Sequence, residues 1–106
     1  MDRFNPDMQS KDGWTGLFYA VMNGNMRIVR HLIEVVNVKH DILDKSKRSP
    51  AHWAARFNND KMIDCLAKCK VYLDFNDIEH NTPTEIARYH RNMESYSLLK
   101  LRIKEA

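Results

Sequence analysis

Glycine and proline are scarce in this chain, three of each in 106 residues. Gly13, Gly16 and Gly24 do not build a phosphate-cradling loop, and neither a nucleophile elbow nor a paired-histidine zinc helix is present. No catalytic residue and no cofactor is expected on that ground. Cysteine is nearly absent. A small secreted domain would carry several, so Cys65 and Cys69 alone point to a reducing compartment, the cytoplasm or nucleus. No apolar run is long enough to cross a bilayer, so membrane insertion is not expected. The opening Met1, Asp2, Arg3, Phe4 and Asn5 does not read as a secretory leader. An excess of one charge is missing too. The net +3 permits acidic partners without singling out nucleic acid. What remains, 43% hydrophobic and 29% charged, is the composition of one globular domain.

Within it one pattern occurs three times. Thr15-Gly16-Leu17-Phe18-Tyr19-Ala20, Ser49-Pro50-Ala51-His52-Trp53-Ala54 and Thr82-Pro83-Thr84-Glu85-Ile86-Ala87 begin 34 and then 33 residues apart. Each hydroxyl can cap a helix by accepting a bond from a free backbone N–H. Pro50 and Pro83 follow where a helix has no use for that N–H, and Gly16 makes a weaker start. Ala20, Ala54 and Ala87 are small enough for neighbouring helices to approach. The first helix of each unit should end near Gly24, Asn58 and Arg91, where a left-handed residue suits Gly and Asn but not Arg.

Asn25, Asn59 and Asn92 then stand as N-caps for a second helix. Ile28, Val29, Leu32 and Ile33 fit one apolar face of it, as do Met62, Ile63, Leu66 and Ala67. In the last unit Tyr96, Leu99 and Ile103 continue the face, while Ser95 and Lys100 interrupt it. With Arg88 at the site of Val21 and Ala55, these two suggest that the far side of the third unit faces water and acts as a cap.

A period near 33 with a T-P-L-H-x-A pattern resembles the ankyrin-repeat family. Asp44 and Asp77, five residues before their caps, fit it, as does Gly13; Ser10, Lys47 and His80 depart from it. The resemblance implies an all-α fold, a solenoid of three stacked helix-turn-helix repeats with hairpin-like finger loops. Residues 1–10 read as a lead-in and 11–106 as the domain, with repeats at about 11–43, 44–76 and 77–106. A positive φ at Lys47 or His80 would be mildly strained. His52 holds the family's signature position, which implies a ring bonded to backbone and a structural role.

The resemblance further implies a non-catalytic module that binds another protein through its finger tips and the concave face of the first helices, as adaptor or masking inhibitor. Carried over by position, that surface comprises Trp14, Tyr19, Met22 and Asn23, then Lys45, Ser46, Arg48, Trp53 and Arg56, then Ile78, Glu79, Asn81, Tyr89 and His90. Aromatics and arginine dominate it, as they dominate interface energies. Phe57 and Ile86 share these positions; Phe57 is read as core. Trp53 fits either a structural or a contact role. Trp14, in an end repeat with few partners, is read as a contact. Charge reversal at Arg48 and Arg56 is expected to weaken partner binding and leave the fold intact. The chain is expected to be monomeric alone.

The alternative is a basic patch for nucleic acid or another acidic surface. It would use Lys45, Lys47, Arg48, Arg56, Lys61, Lys68 and Lys70, with Lys100, Arg102 and Lys104, though Asp60 and Asp64 dilute the field. Cys65 and Cys69 share one side of a helix, but further ligands are wanting, so no metal is expected. His31, His40, His80 and His90 show no metal-ligand spacing.

Overall fold

The computed structural model describes residues 5–105. Three seven-residue helices, α1 (Gly16–Met22), α3 (Pro50–Arg56) and α5 (Pro83–Tyr89), follow the extended residues Thr15, Ser49 and Thr82. The last two caps are reciprocal. Ser49 Oγ accepts from the His52 N–H while His52 Nδ1 accepts from the Ser49 N–H, and Thr82 exchanges the same pair with Glu85. Thr15 departs from expectation: it precedes the helix but makes no side-chain cap bond, and its buried hydroxyl has no partner. Phe18 holds the place of His52 and Glu85 and has no atom to return the bond.

Each first helix ends, as expected, at a left-handed residue: Gly24 (φ 72°), Asn58 (54°) and Arg91 (60°). The second helices are α2 (Met26–His31), α4 (Asp60–Lys68) and α6 (Met93–Glu105). The Asn25 and Asn59 side chains accept from the Ile28 and Met62 N–H groups. Asn92 does something else. Its amide donates backward to the carbonyls of Ala55 (2.8 Å) and Arg56 (3.2 Å), satisfying the end of α3. In return Asn58 Oδ1 accepts from the Ser95 hydroxyl (2.9 Å) and backbone N–H (3.4 Å) at the start of α6.

The helices stack in two rows, α1–α3–α5 and α2–α4–α6, into a body 47 × 26 × 22 Å. Ala20, Ala54 and Ala87 are buried in the first row, and Leu17, Val21, Val29, Met62, Ile63, Leu66 and Leu99 fill the space between rows. At roughly 1.5–3 kcal/mol per fully buried large side chain, this contact between units is what holds them together.

Two expectations fail for one reason. Ile28, placed on the apolar face of α2, is 46% exposed, and Ser95, taken as a sign of solvent, is 0% exposed. Ile28, Met62 and Ser95 are equivalent, and this position faces the preceding repeat. Met62 and Ser95 have one; among the described residues Ile28 does not. Beyond α2 the chain widens into a π-helical turn, Leu32–Val36, closed by left-handed Asn37. Arg88 and Lys100 are exposed, as expected of the far side.

No strand occurs among the described residues, yet the fingers share one geometry. Asp44 N–H donates to the Arg48 carbonyl, and its own carbonyl accepts from Lys47. Asp77 repeats this with Asn81 and His80, and Ser10 with Trp14 and Gly13. The third residue of each set has positive φ, including the strained Lys47 (59°) and His80 (65°). Adjacent fingers are tied by Lys45 N–H to Asp12 O (3.1 Å) and Ile78 N–H to Ser46 O (2.9 Å).

Candidate functional site

The finger aspartates organise the face formed by the fingers and first helices. Asp44 is buried, and four donors converge on its two oxygens. Oδ1 accepts from the backbone N–H groups of Ser46 and Arg48 (both 2.9 Å), and Oδ2 from the indoles of Trp14 (2.9 Å) and Trp53 (3.1 Å). Asp77 likewise accepts from Glu79 and Asn81 at Oδ1, and its outer oxygen meets Arg48 Nε at 3.5 Å. Trp14 and Arg48 are equivalent positions, each reaching forward to the next finger.

Trp14 has more partners within the chain than its place in an end repeat suggested. It is half-buried and tied to the second finger, with its ring edge-on to Tyr19 (5.7 Å) and to Trp53 (5.9 Å). Trp53 in turn stacks on Phe57 (6.1 Å) and lies under the Arg48 guanidinium (5.3 Å). Phe57, read as core, is 54% exposed. It ends α3 and lies along Trp53, so one side is covered and the other open.

Arg48 is also less free than its sequence context suggests. Its guanidinium bridges buried Asp77 and, at 3.9 Å, Glu79. Charge reversal at Arg48 would set a carboxylate against Asp77, so a loss of stability is expected from it beside any loss of binding. Arg56 is exposed and has no acidic partner among the described residues. Arg48, His52, Trp53, Arg56, Ile86 and His90 line one small cavity of about 50 Å³. Partial burial, then the charges of Arg56 and Arg48, push the His90 imidazole below its usual value. His52 is also lowered, first by burial; its Nε2 reaches the Asn81 carbonyl at 2.8 Å, tying α3 to the third finger.

The other candidates lie around this centre. Tyr89 is 82% exposed with its ring edge-on to His90 at 5.0 Å. Ile78 and Glu79 are exposed on the third finger, Lys45 and Ser46 on the second, and Asn81 is half-buried. Met22 is half-buried and Asn23 closes α1. Asp44 was missed as an organiser. The signal was present: an aspartate at a fixed finger position in a chain whose two tryptophans fall just before one first helix and within the next.

Three of the other basic residues stand apart from this face. Lys61, Lys68 and Arg102 line a separate groove between the second helices, where Lys68 (3.1 Å) and Arg102 (2.6 Å) both meet Asp64. The Lys68 ammonium, with Arg102 behind it, holds the Asp64 carboxyl below its ordinary value. Cys65 and Cys69 are free and buried at the same groove. Burial, then the neighbouring thiol, pushes Cys65 up to about 11. Among the described residues no group of three His, Cys, Asp or Glu side chains could hold a metal ion, and no helix is long and apolar enough to cross a membrane.

A family model described as ankyrin repeats (3 copies) matches residues 2–79, which is 78 of the 106 residues. The matched span ends within the third finger. The α5–α6 pair beyond it repeats the Ser49–His52 cap in Thr82–Glu85 and the left-handed turn of Asn58 in Arg91.

Proposed function

The chain belongs to the ankyrin-repeat family, whose members are generally protein-interaction modules and typically not catalysts, and from that premise we propose that it docks a partner protein on its finger face as adaptor or masking inhibitor. The observation that carries this reading is the exposed series Tyr19, Phe57, Ile78 and Tyr89, which spans all three repeats around half-buried Trp14, Trp53 and Arg48. Aromatic and arginine side chains fixed before binding supply contact area at little ordering cost. Asp44 does the fixing, through both indoles.

We place the protein in the cytoplasm or nucleus, on its two unpaired cysteines, and read it as a monomer before docking. Nucleic acid is the weaker reading, because Arg48 and Arg56 lie on the finger face while Lys61, Lys68 and Arg102 lie apart in the groove at Asp64. A photo-crosslinking residue at Tyr89 or Phe57, compared in the native cell with one at Val35 or Leu101 on the second-helix side, tests the proposal. Protein adducts at the first pair are expected. Adducts confined to Val35 or Leu101, or nucleic-acid adducts at Tyr89, would overturn it.

A further inference from the structure

The cavity beside Trp53 has a charge balance of its own. Arg48 shares its charge with Asp77 and Glu79, while Arg56 has no such partner among the described residues. At His90, burial and then the charges of Arg56 and Arg48 disfavour protonation of the imidazole. So about one cationic charge is uncommitted there, next to an imidazole and against the aromatic surface of Trp53 and Phe57. A planar monoanion matches it. A phosphate, at about −1.5 to −2, would exceed it, and a cavity of about 50 Å³ does not hold a nucleobase.

Resting on the docking reading, we propose that the cleft between Arg48, Arg56 and His90 anchors a carboxylate side chain of the partner, so that the docked segment is an acidic peptide in which Glu or Asp adjoins an apolar residue. The carboxylate accepts from the Arg56 fork and the free edge of Arg48, and the adjoining apolar side chain lies on Trp53 and Phe57.

The test uses the whole protein and two blocked pentapeptides of sequence FELEF and FQLQF. The His90 ring protons and the Trp53 indole N–H are followed by NMR. FELEF should shift both resonances saturably, raise the His90 pKa and bind at least about tenfold tighter than FQLQF. Arg56→Gln should erase that preference. Equal binding of the two peptides, no saturable shift by either at millimolar concentration, or tighter binding of a phosphoserine analogue would overturn the proposal. Failure of the docking reading is separable. Tyr89 crosslinks that persist undiminished in Arg56→Gln sink the carboxylate anchor alone, whereas loss of protein adducts at Tyr89 in the unaltered chain sinks docking itself.

Discussion

Ser95 and Asn58 meet across the boundary between the second and third repeats, the Ser95 hydroxyl donating to Asn58 Oδ1 at 2.9 Å. Asn58 carries a left-handed φ of 54° at the turn between α3 and α4, and its side chain serves as a cap to α6 of the next repeat. Its Nδ2 reaches Glu94 at 3.1 Å, and Asn92 returns two bonds to the end of α3. Cohesion between these repeats is therefore polar as well as apolar, and it is directional.

The pair predicts unequal costs. Ser95→Ala removes the hydroxyl and leaves the Asn58 oxygen only the longer bond from the Ser95 N–H, and it should cost about 1 kcal/mol. Asn58→Ala strands the buried Ser95 hydroxyl and forces a Cβ without polar support into the left-handed region, so about 2–3 kcal/mol is expected. Urea midpoints of the two variants check the ranking, and equal midpoints would deny the cross-repeat cap.

Asp44→Asn keeps the shape but replaces one acceptor oxygen with a donor. Either the two finger amides or the two indoles then lose their acceptor, at a cost of about 2–4 kcal/mol. Trp14 and Trp53 are the chain's two tryptophans, so their emission reports the change. A red shift together with a lowered urea midpoint is expected; an unaltered spectrum at full stability would remove Asp44 from its organising place.

Four left-handed residues, Lys47, Lys70, His80 and Arg91, are exposed and make no side-chain hydrogen bond or ion pair among the described residues. Replacing each with Gly relieves strain of roughly 1–2 kcal/mol and raises unfolded-chain entropy by about 0.5–1 kcal/mol. A net gain of about 0.5–1 kcal/mol each, a rise in Tm of about 3–5 °C, is expected by thermal melting. Gly13 is the opposite case. A Cβ there would lie 2.8 Å from Lys45 N and 2.9 Å from Asp44 Cα, so Gly13→Ala should lower Tm.

The thiols offer a kinetic check. With Cys65 pushed up to about 11, its native alkylation at neutral pH should run about a hundredfold slower than for an unburied thiol, and Cys69, raised by burial, should also be slowed. Iodoacetamide labelling followed by mass spectrometry, with and without urea, reads this directly. Rapid native labelling would contradict the burial.

Legibility in the sequence followed locality. The starts at Pro50 and Pro83, the caps at Asn25 and Asn59, and the left-handed turns at Gly24 and Asn58 are requirements of a few adjacent residues, so a single copy of the pattern reveals them. Ile28 and Ser95 were misplaced because their exposure depends on which repeat lies across from them, and Phe57 because its cover, the Trp53 ring four residues earlier, is one-sided. The partners of Trp14 were missed because its acceptor, Asp44, is thirty residues away in the next finger. Of the candidate site, residue types and positions were visible, while the pairing of Arg48 with Asp77 and the joining of Arg56 with His90 required the stack.

His52 gives stability a pH dependence of definite sign. It is buried, and its Nδ1 accepts from the Ser49 N–H, so the proton sits on Nε2, which donates to the Asn81 carbonyl. Burial lowers its pKa below the ordinary 6.5, against the weaker upward pull of the Asn81 bond and Asp77. Between the folded and unfolded values the unfolded chain binds more protons, so stability is full above about pH 6.5 and drains as pH falls below it. His90 is lowered too and adds the same sign. Asp64 and Glu94, lowered from 3.8 and 4.5, contribute only in more acid solution. His52→Gln retains an acceptor for the Ser49 N–H and a donor for Asn81, as glutamine does in a capping box, without titrating. The urea midpoint of the unaltered protein should fall between pH 7 and pH 5, and that of the variant should fall less, the remainder belonging to His90. Parallel pH profiles for the two proteins would place the sensitivity somewhere other than the His52 ring.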